Sequence, residues 1–337
     1  MAEHKLRWGA DGRNHRVIAI AIILLSGFCF SEKSFALSFD KLGGTMVAYG
    51  EIVGGDFNKF VVEYLTWDAP PTVFAFDSAG GDVIEAMAIG TFVRASRIPI
   101  WITGKCYSAC SLVYLSATTR DATGEIGLHR PYFDQSYFSG LSSYQAEKEY
   151  RALEDLATTY LQQMGTAQHT IDEMWSVSSD KMKIFRGREQ TSEAFGQESI
   201  FMEEWKIARC GALNDSEVVA SCAVTWIRYI RANVRLVENW EEKFLDNSDG
   251  LFRRHMPGMC QGLMNEVQST VYKAVDDPSL LKIVQSHAQV SSQRGECIKK
   301  AEDSETWSFF RAMKSSEELR DKFLRPALSI VRETYGN

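Results

Sequence analysis

Between residues 37 and 196 short apolar runs alternate with amphipathic stretches, and this alternation limits the fold more than any other feature of the sequence. Residues 45–52 read as a strand, 58–67 as a helix and 71–76 as a buried strand. A helix over 81–95, a strand over 98–103, a helix over 108–116 and a strand over 125–129 continue the pattern. Such alternation builds a parallel α/β sheet with helices on its faces, and the strand ends deliver their loops to one edge. Tyr150, Leu153, Ala157, Tyr160 and Met164 recur at three- and four-residue steps, so 143–165 is a further helix with one apolar stripe. That stripe either covers its own sheet or meets a second subunit, and a homo-oligomer is expected.

From about residue 201 the pattern is helical. Trp226, Ile230, Val234, Val237 and Phe244 share one helix face, Leu263, Val267 and Val271 mark a second helix, and the run through Leu319 and Phe323 a third, kinked or restarted by Pro326. With 337 residues the chain has room for two packed regions. The expected organisation is a signal peptide at 1–36, an α/β domain at 37–200 and a helical region of unassigned role at 201–337.

The first 36 residues read as a targeting segment. Lys5, Arg7, Arg13 and Arg16 precede an apolar run over 17–25 and a softer one over 26–30, which together fall short of the roughly 20 residues a membrane-spanning helix needs. Ser34 and Ala36 put small residues where a signal peptidase reads them, so the mature chain is expected to start at Leu37 and to be exported to a periplasm-like compartment. The competing reading is an uncleaved anchor, which would make this segment the chain's one membrane contact. Export fits the cysteines. Beyond residue 36 there are six, Cys106, Cys110, Cys210, Cys222, Cys260 and Cys297, an even number suited to an oxidising compartment. At least one disulfide is expected between positions 210 and 297. Cys106 and Cys110 can pair only if the backbone between them is not regular helix, because disulfide geometry is narrow.

Composition excludes several functions. A net charge of −7 argues against a sequence-independent grip on nucleic acid, which needs clustered cations to displace counterions. No zinc spacing, dinucleotide fingerprint, phosphate-binding loop or G-x-S-x-G motif is present, and neither a metal nor a cofactor is expected.

Three segments carry chemistry together. In Phe76-Asp77-Ser78-Ala79-Gly80-Gly81 a buried strand ends on two glycines, which allow close approach and exposed N–H groups. In Gly104-Lys105-Cys106-Tyr107-Ser108-Ala109-Cys110 a strand hands over to a helix at a serine, which is either a helix cap or a nucleophile facing the positive helix end. In Glu125-Ile126-Gly127-Leu128-His129-Arg130-Pro131 a strand ends on a histidine, structural or a base.

In this order the three segments resemble the Clp protease proteolytic subunit, within the Clp/crotonase superfamily, over about residues 45–200. The resemblance implies a Clp/crotonase-like sheet with flanking helices and a serine peptidase, and export, which leaves it without ATP or an unfolding ATPase ring, makes the expected peptidase ATP-independent and its substrates exposed or unfolded peptides. Ser108 would be the nucleophile and His129 the base, with Gly80 and Ala109 as oxyanion donors. The third triad member would be Asp180, 51 residues beyond His129, with Asp172 as its competitor. Asp180 is favoured because 182–185 resembles the closing strand after the family's aspartate, followed by a helix that Thr191 could start. Ala79 stands where the family has a proline, Asp82 follows the glycines and two cysteines flank Ser108, so the likeness is to exported Clp-like proteins. Two alternatives remain: a Ser-Lys hydrolase resembling signal peptide peptidases, with Lys105 or Lys181 as base, and a catalytically silent Clp-fold module that binds peptide by its backbone.

Overall fold

The computed structural model describes residues 36–133, 135–234 and 262–317, together with Phe252, Met256 and Cys260. The apolar run 17–30 and the residues Val237, Phe244, Leu319, Phe323 and Pro326 lie outside the described residues. In chain order come β1 (Ser38–Leu42), β2 (Thr45–Tyr49), α1 (Asp56–Leu65), β3 (Val73–Ser78), α2 (Val83–Ser96), β4 (Ile100–Tyr107), α3 (Ala109–Ser116), β5 (Arg120–Ala122) and β6 (Glu125–Leu128). They are followed by α4 (Ser143–Gln163), α5 (Gln168–Ser176), β7 (Lys183–Arg186) and α6 (Gly187–Phe195), and then by helices alone: α7 (Met202–Cys210), α8 (Asp215–Val234), α9 (Met264–Asp276) and α10 (Pro278–Ser315).

The architecture is α/β. One sheet runs β1-β2-β3-β4-β6-β7, with β5 pairing the first half of β4. Strands β2, β3, β4 and β6 are parallel, whereas β1 and β7 pair antiparallel at the two edges. The sheet is thus mixed where an all-parallel one was expected. At the β1 edge the cause is local: Leu42 faces Thr45 across the two residues Gly43-Gly44, and so short a link can only reverse the chain.

Alternation along the strands sends Met46, Ala48, Phe74, Phe76, Ile100, Ile102, Cys106, Ile126 and Leu128 to one buried face. Phe60 of α1 stacks on Phe76 and tilts on Phe74, and its edge meets Phe92 of α2. Most of the stripe of α4 is spent inside the chain, and Tyr150 stays half-buried. Leu153, Ala157, Tyr160, Leu161 and Met164 are buried, and the Tyr160 hydroxyl donates to Leu112 O of α3. These residues cannot meet a second subunit, and the first turns of α4, with Tyr144 77% exposed, are what remains open. The helix after β7 begins at Gly187, four residues before the expected Thr191. Thr191 is buried within it, its hydroxyl bonding back to Gly187 O at 2.9 Å.

The helical region has a core of its own around Trp226, Phe252, Met256, Val267 and Val284. Disulfides Cys222–Cys260 and Cys210–Cys297 staple it, in line with the expectation for this stretch. The 38-residue α10 joins this core to the first: Val284 belongs to the helical cluster, while Phe310 and Met313 pack into the α/β core against Tyr64. Arg97, at the end of α2, pairs with Glu305 and lies over the Trp205 ring at 4.5 Å. Among the described residues no helix is long and apolar enough to cross a membrane.

Arg120 ties the sheet to its surroundings without a carboxylate. Its buried guanidinium donates to Leu115 O at 2.9 Å, Gly196 O at 3.1 Å and Glu198 O at 3.1 Å, and also to Phe195 O. These carbonyls close the ends of α3 and α6, where helices leave acceptors unpaired. Burial pulls the pKa of Arg120 down to about 10, so at neutral pH it stays charged. Arg120→Met should cost about 3 kcal/mol or more, since it orphans buried acceptors of a charged donor, as read by denaturant unfolding.

Candidate active site

Ser108 joins β4 to α3 with φ 53° and ψ −124°. Among described non-glycine residues only Arg97 shares a positive φ, and Arg97 sits in the ordinary left-handed well that ends a helix. Ser108 lies outside that well, in a region costing a non-glycine residue about 1–3 kcal/mol. Its Oγ makes no capping hydrogen bond to α3, so a cap does not explain it. A strand-to-helix reversal at a serine is also the backbone geometry of the nucleophile elbow of α/β-hydrolases, here at a half-buried residue and without their flanking glycines.

Several contacts hold the reversal. The Ser108 N–H donates to Gly127 O of the neighbouring strand at 3.0 Å, and Ser108 O accepts from Ser111 N at 2.9 Å and Ser111 Oγ at 2.6 Å. A disulfide joins Cys106 to Cys110 across the elbow, with Cα atoms 5.1 Å apart and both residues fully buried. The bridge is compatible with four-residue spacing because Cys106 is still in β4 and only Cys110 is helical.

The glycine turn packs on this elbow. Gly80 and Gly81 follow β3 with φ of 101° and 135°. A Cβ on Gly80 would stand 2.6 Å from Tyr107 O, 2.7 Å from Ser108 Cβ and 3.0 Å from Ala109 N, so only glycine brings its main chain this close. As the first residue of α3, Ala109 offers an N–H with no carbonyl partner inside the helix. The Gly80 N–H, in contrast, donates to Ser78 Oγ at 3.1 Å, a contact with no expectation behind it from the sequence.

His129 leaves β6 directly beside the elbow. Tyr107 is the register partner of Gly127, so Ser108 and His129 emerge from adjacent parallel strands at the same sheet edge. His129 is 7% exposed, with Nδ1 2.9 Å from Arg130 O. A carbonyl only accepts, so this contact selects the tautomer of the neutral ring in which Nδ1 carries the proton and Nε2 the lone pair. Tyr132 packs beside the ring at 5.6 Å. Ser108 Oγ and His129 form no hydrogen bond in this arrangement.

Neither candidate aspartate is bonded to His129. Asp180 is exposed in the loop between α5 and β7, a loop brought to this side by the Arg130 N–H donating to Val177 O at 3.0 Å. Its carboxylate accepts from the Ser178 hydroxyl, which together with its own N–H holds its pKa below the usual aspartate range. Asp172 is exposed on α5 and accepts from Gln168 Nε2 at 2.8 Å. Lys105 is exposed and makes no bond to Ser108, its N–H going to Asp77 Oδ1 at 3.1 Å. The structure therefore gathers Gly80, Ser108, Ala109 and His129 at one edge and leaves Asp180, Asp172, Lys105 and Lys181 unbonded to them. Among the described residues no group of three or more His, Cys, Asp or Glu could hold a metal ion.

Beside the elbow, the Tyr107 hydroxyl donates to Glu125, which also accepts from Arg186 Nε at 2.9 Å. The pairing raises the tyrosine pKa and lowers that of Glu125. Its members lie 18 and 61 residues apart, so no local pattern announces them.

The chain matches no protein-family model and no curated protein.

Gly80→Ala tests the packing of the turn. Gly196→Ala is the control, because Gly196 has φ 66° but its Cβ would come no nearer than 3.5 Å to Glu198 O. With ψ 165° the control lies in a region that glycine alone adopts readily, and it should cost about 1–3 kcal/mol from backbone strain alone. Gly80→Ala, which adds a main-chain clash, should cost at least twice as much by denaturant unfolding.

Proposed function

We propose that the chain is an exported, ATP-independent serine peptidase of the Clp/crotonase type that cleaves exposed or unfolded peptide at Ser108. The observation that carries this reading is the strained backbone of Ser108, whose hydroxyl caps no helix and makes no hydrogen bond among the described residues, and whose neighbours are a glycine turn, the N-terminus of α3 and a histidine. Strain in a non-glycine residue persists only where the surroundings over-determine it, and such places cluster at functional sites. Three disulfides accord with an oxidising compartment of the extracellular type.

In this mechanism Nε2 of His129 takes the Ser108 proton as Oγ attacks the substrate carbonyl. The oxyanion then meets the Ala109 N–H and, once it leaves Ser78, the Gly80 N–H. The histidine returns the proton to the leaving amine, and a water repeats the sequence to release the acyl group. The tautomer is fixed by Arg130 O, which does the orienting work assigned to Asp180 by the family resemblance. Asp180 then acts through its charge near Arg130, with a smaller share in the rate. The expected self-association, with most of the α4 stripe buried, would use another surface.

The silent peptide-binding module is favoured by one observation, the Gly80 N–H already engaged by Ser78. Mutant kinetics on an unfolded peptide substrate decide between the two. Ser108→Ala and His129→Ala should each abolish hydrolysis with the fold intact, and the double variant should lose no more than either. Asp180→Asn should fall by about tenfold or less, against the roughly 10⁴-fold loss that follows when an aspartate orients the histidine. Ser78→Ala, which frees the Gly80 N–H, should leave hydrolysis at or above the wild-type rate. Full hydrolysis by a folded Ser108→Ala would remove the proposal.

A further inference from the structure

Asp56, the first residue of α1, is fully buried, and three segments meet at its carboxylate. Oδ2 accepts the N–H of Val53 at 2.8 Å and the N–H of Leu37 at 3.1 Å, and Oδ1 takes Lys59 Nζ at 2.7 Å. The Lys59 side chain is half exposed, so a surface cation balances a carboxylate with no solvent of its own. Leu37, only 4% exposed, sits with its nitrogen already on Asp56. This is the nitrogen that becomes an amine if the chain is cut after Ala36, where Ser34 and Ala36 supply the small residues of a signal-peptidase site.

We infer that Asp56 is the receptor for a new amino terminus at Leu37. Hydrolysis of the Ala36–Leu37 bond by a signal peptidase breaks the C–N bond with one water. The water oxygen completes the Ala36 carboxylate, and its two hydrogens join the amide hydrogen to make Leu37 an ammonium. A neutral N–H donor is thereby replaced by a cation at a site that is built, aimed and closed to solvent. Charge-assisted hydrogen bonds are about twice as strong as neutral ones, and burial removes the screening that weakens surface pairs.

The ion pair reaches the glycine turn through a short chain of bonds. The loop 52–57 that holds Asp56 donates from Gly55 N and Phe57 N to the Glu85 carboxylate of α2, at 3.0 and 2.7 Å. It also brackets the turn itself, Ile52 N donating to Gly80 O at 2.8 Å and Ile52 O accepting from Asp82 N at 2.7 Å. Removal of the leader in this way tightens the hold on a turn that is already in place beside Ser108. The inference concerns stability of that loop and holds whether or not Ser108 is a nucleophile.

The test compares two forms of the otherwise full mature chain, one starting at Leu37 and one retaining Phe35 and Ala36 ahead of it, each as wild type and as Asp56→Asn. The Leu37 form should melt several degrees above the extended form, and the gap should close in Asp56→Asn. In a second measurement, independent of whether Asp56→Asn folds, the Leu37 amine of the wild-type protein should resist acylation at neutral pH, while the extended form's amine reacts freely. Equal melting of the two wild-type forms, a gap that survives in Asp56→Asn, or a freely acylated Leu37 amine would overturn the inference. So would an exported protein whose sequenced amino terminus is not Leu37.

Discussion

The reversal of the chain at Ser108 is the constraint around which the α/β half is arranged. A non-glycine residue at φ 53° and ψ −124° does not hold itself, and each neighbouring element contributes to keeping it there. Strand β6 accepts its N–H, Ser111 binds its carbonyl twice, and the Cys106–Cys110 disulfide closes the chain over it. Gly80 lacks a side chain because any Cβ would occupy the space that the elbow already fills.

From the elbow outward the structure is a series of clamps on loops, whereas the strands themselves need only their buried faces. The loop 52–57 holds the glycine turn through Ile52 and is held in turn by Glu85 and the buried Asp56. Arg120 gathers the ends of α3 and α6. The helical region is secured at a distance from the sheet edge, with Phe309 and Phe310 of α10 against Phe92 and Tyr64, and Arg97 between Glu305 and Trp205. Loops need such external fastening because they bury too little apolar surface to fix their own conformation.

Legibility in the sequence followed burial. Strands β2 and β4 and helices α1 and α4 were readable because their apolar residues lie on one buried face at the proper period, whereas β3, β6 and α3 were readable as short, almost wholly buried apolar runs. Strand β1 was not, because its residues SFDKL are half or fully exposed at a sheet edge. Helix α10 was missed because, of its 38 residues, only Val284, Phe310 and Met313 are buried, which leaves no continuous stripe. At the site, the residue types and their order were visible, and the conditional reading of Cys106 and Cys110 turned on where β4 ends. The strain at Ser108 was not visible, since it comes from a bridge, a neighbouring strand and a glycine 28 residues away. Arg130 O could not be foreseen as the partner of His129 because a main-chain carbonyl leaves no mark in a sequence, whereas the spacing of Asp180 did.

The central claim is that the hydroxyl of Ser108, which caps no helix, is nucleophilic because His129 removes its proton. It is tested most directly by the rate of covalent modification by a fluorophosphonate as a function of pH, with the adduct located by peptide mapping. The account predicts a single adduct on Ser108 and the loss of its formation in His129→Ala at every pH. A folded protein that takes no adduct, or one whose adduct lies elsewhere or forms equally fast in His129→Ala, would contradict it.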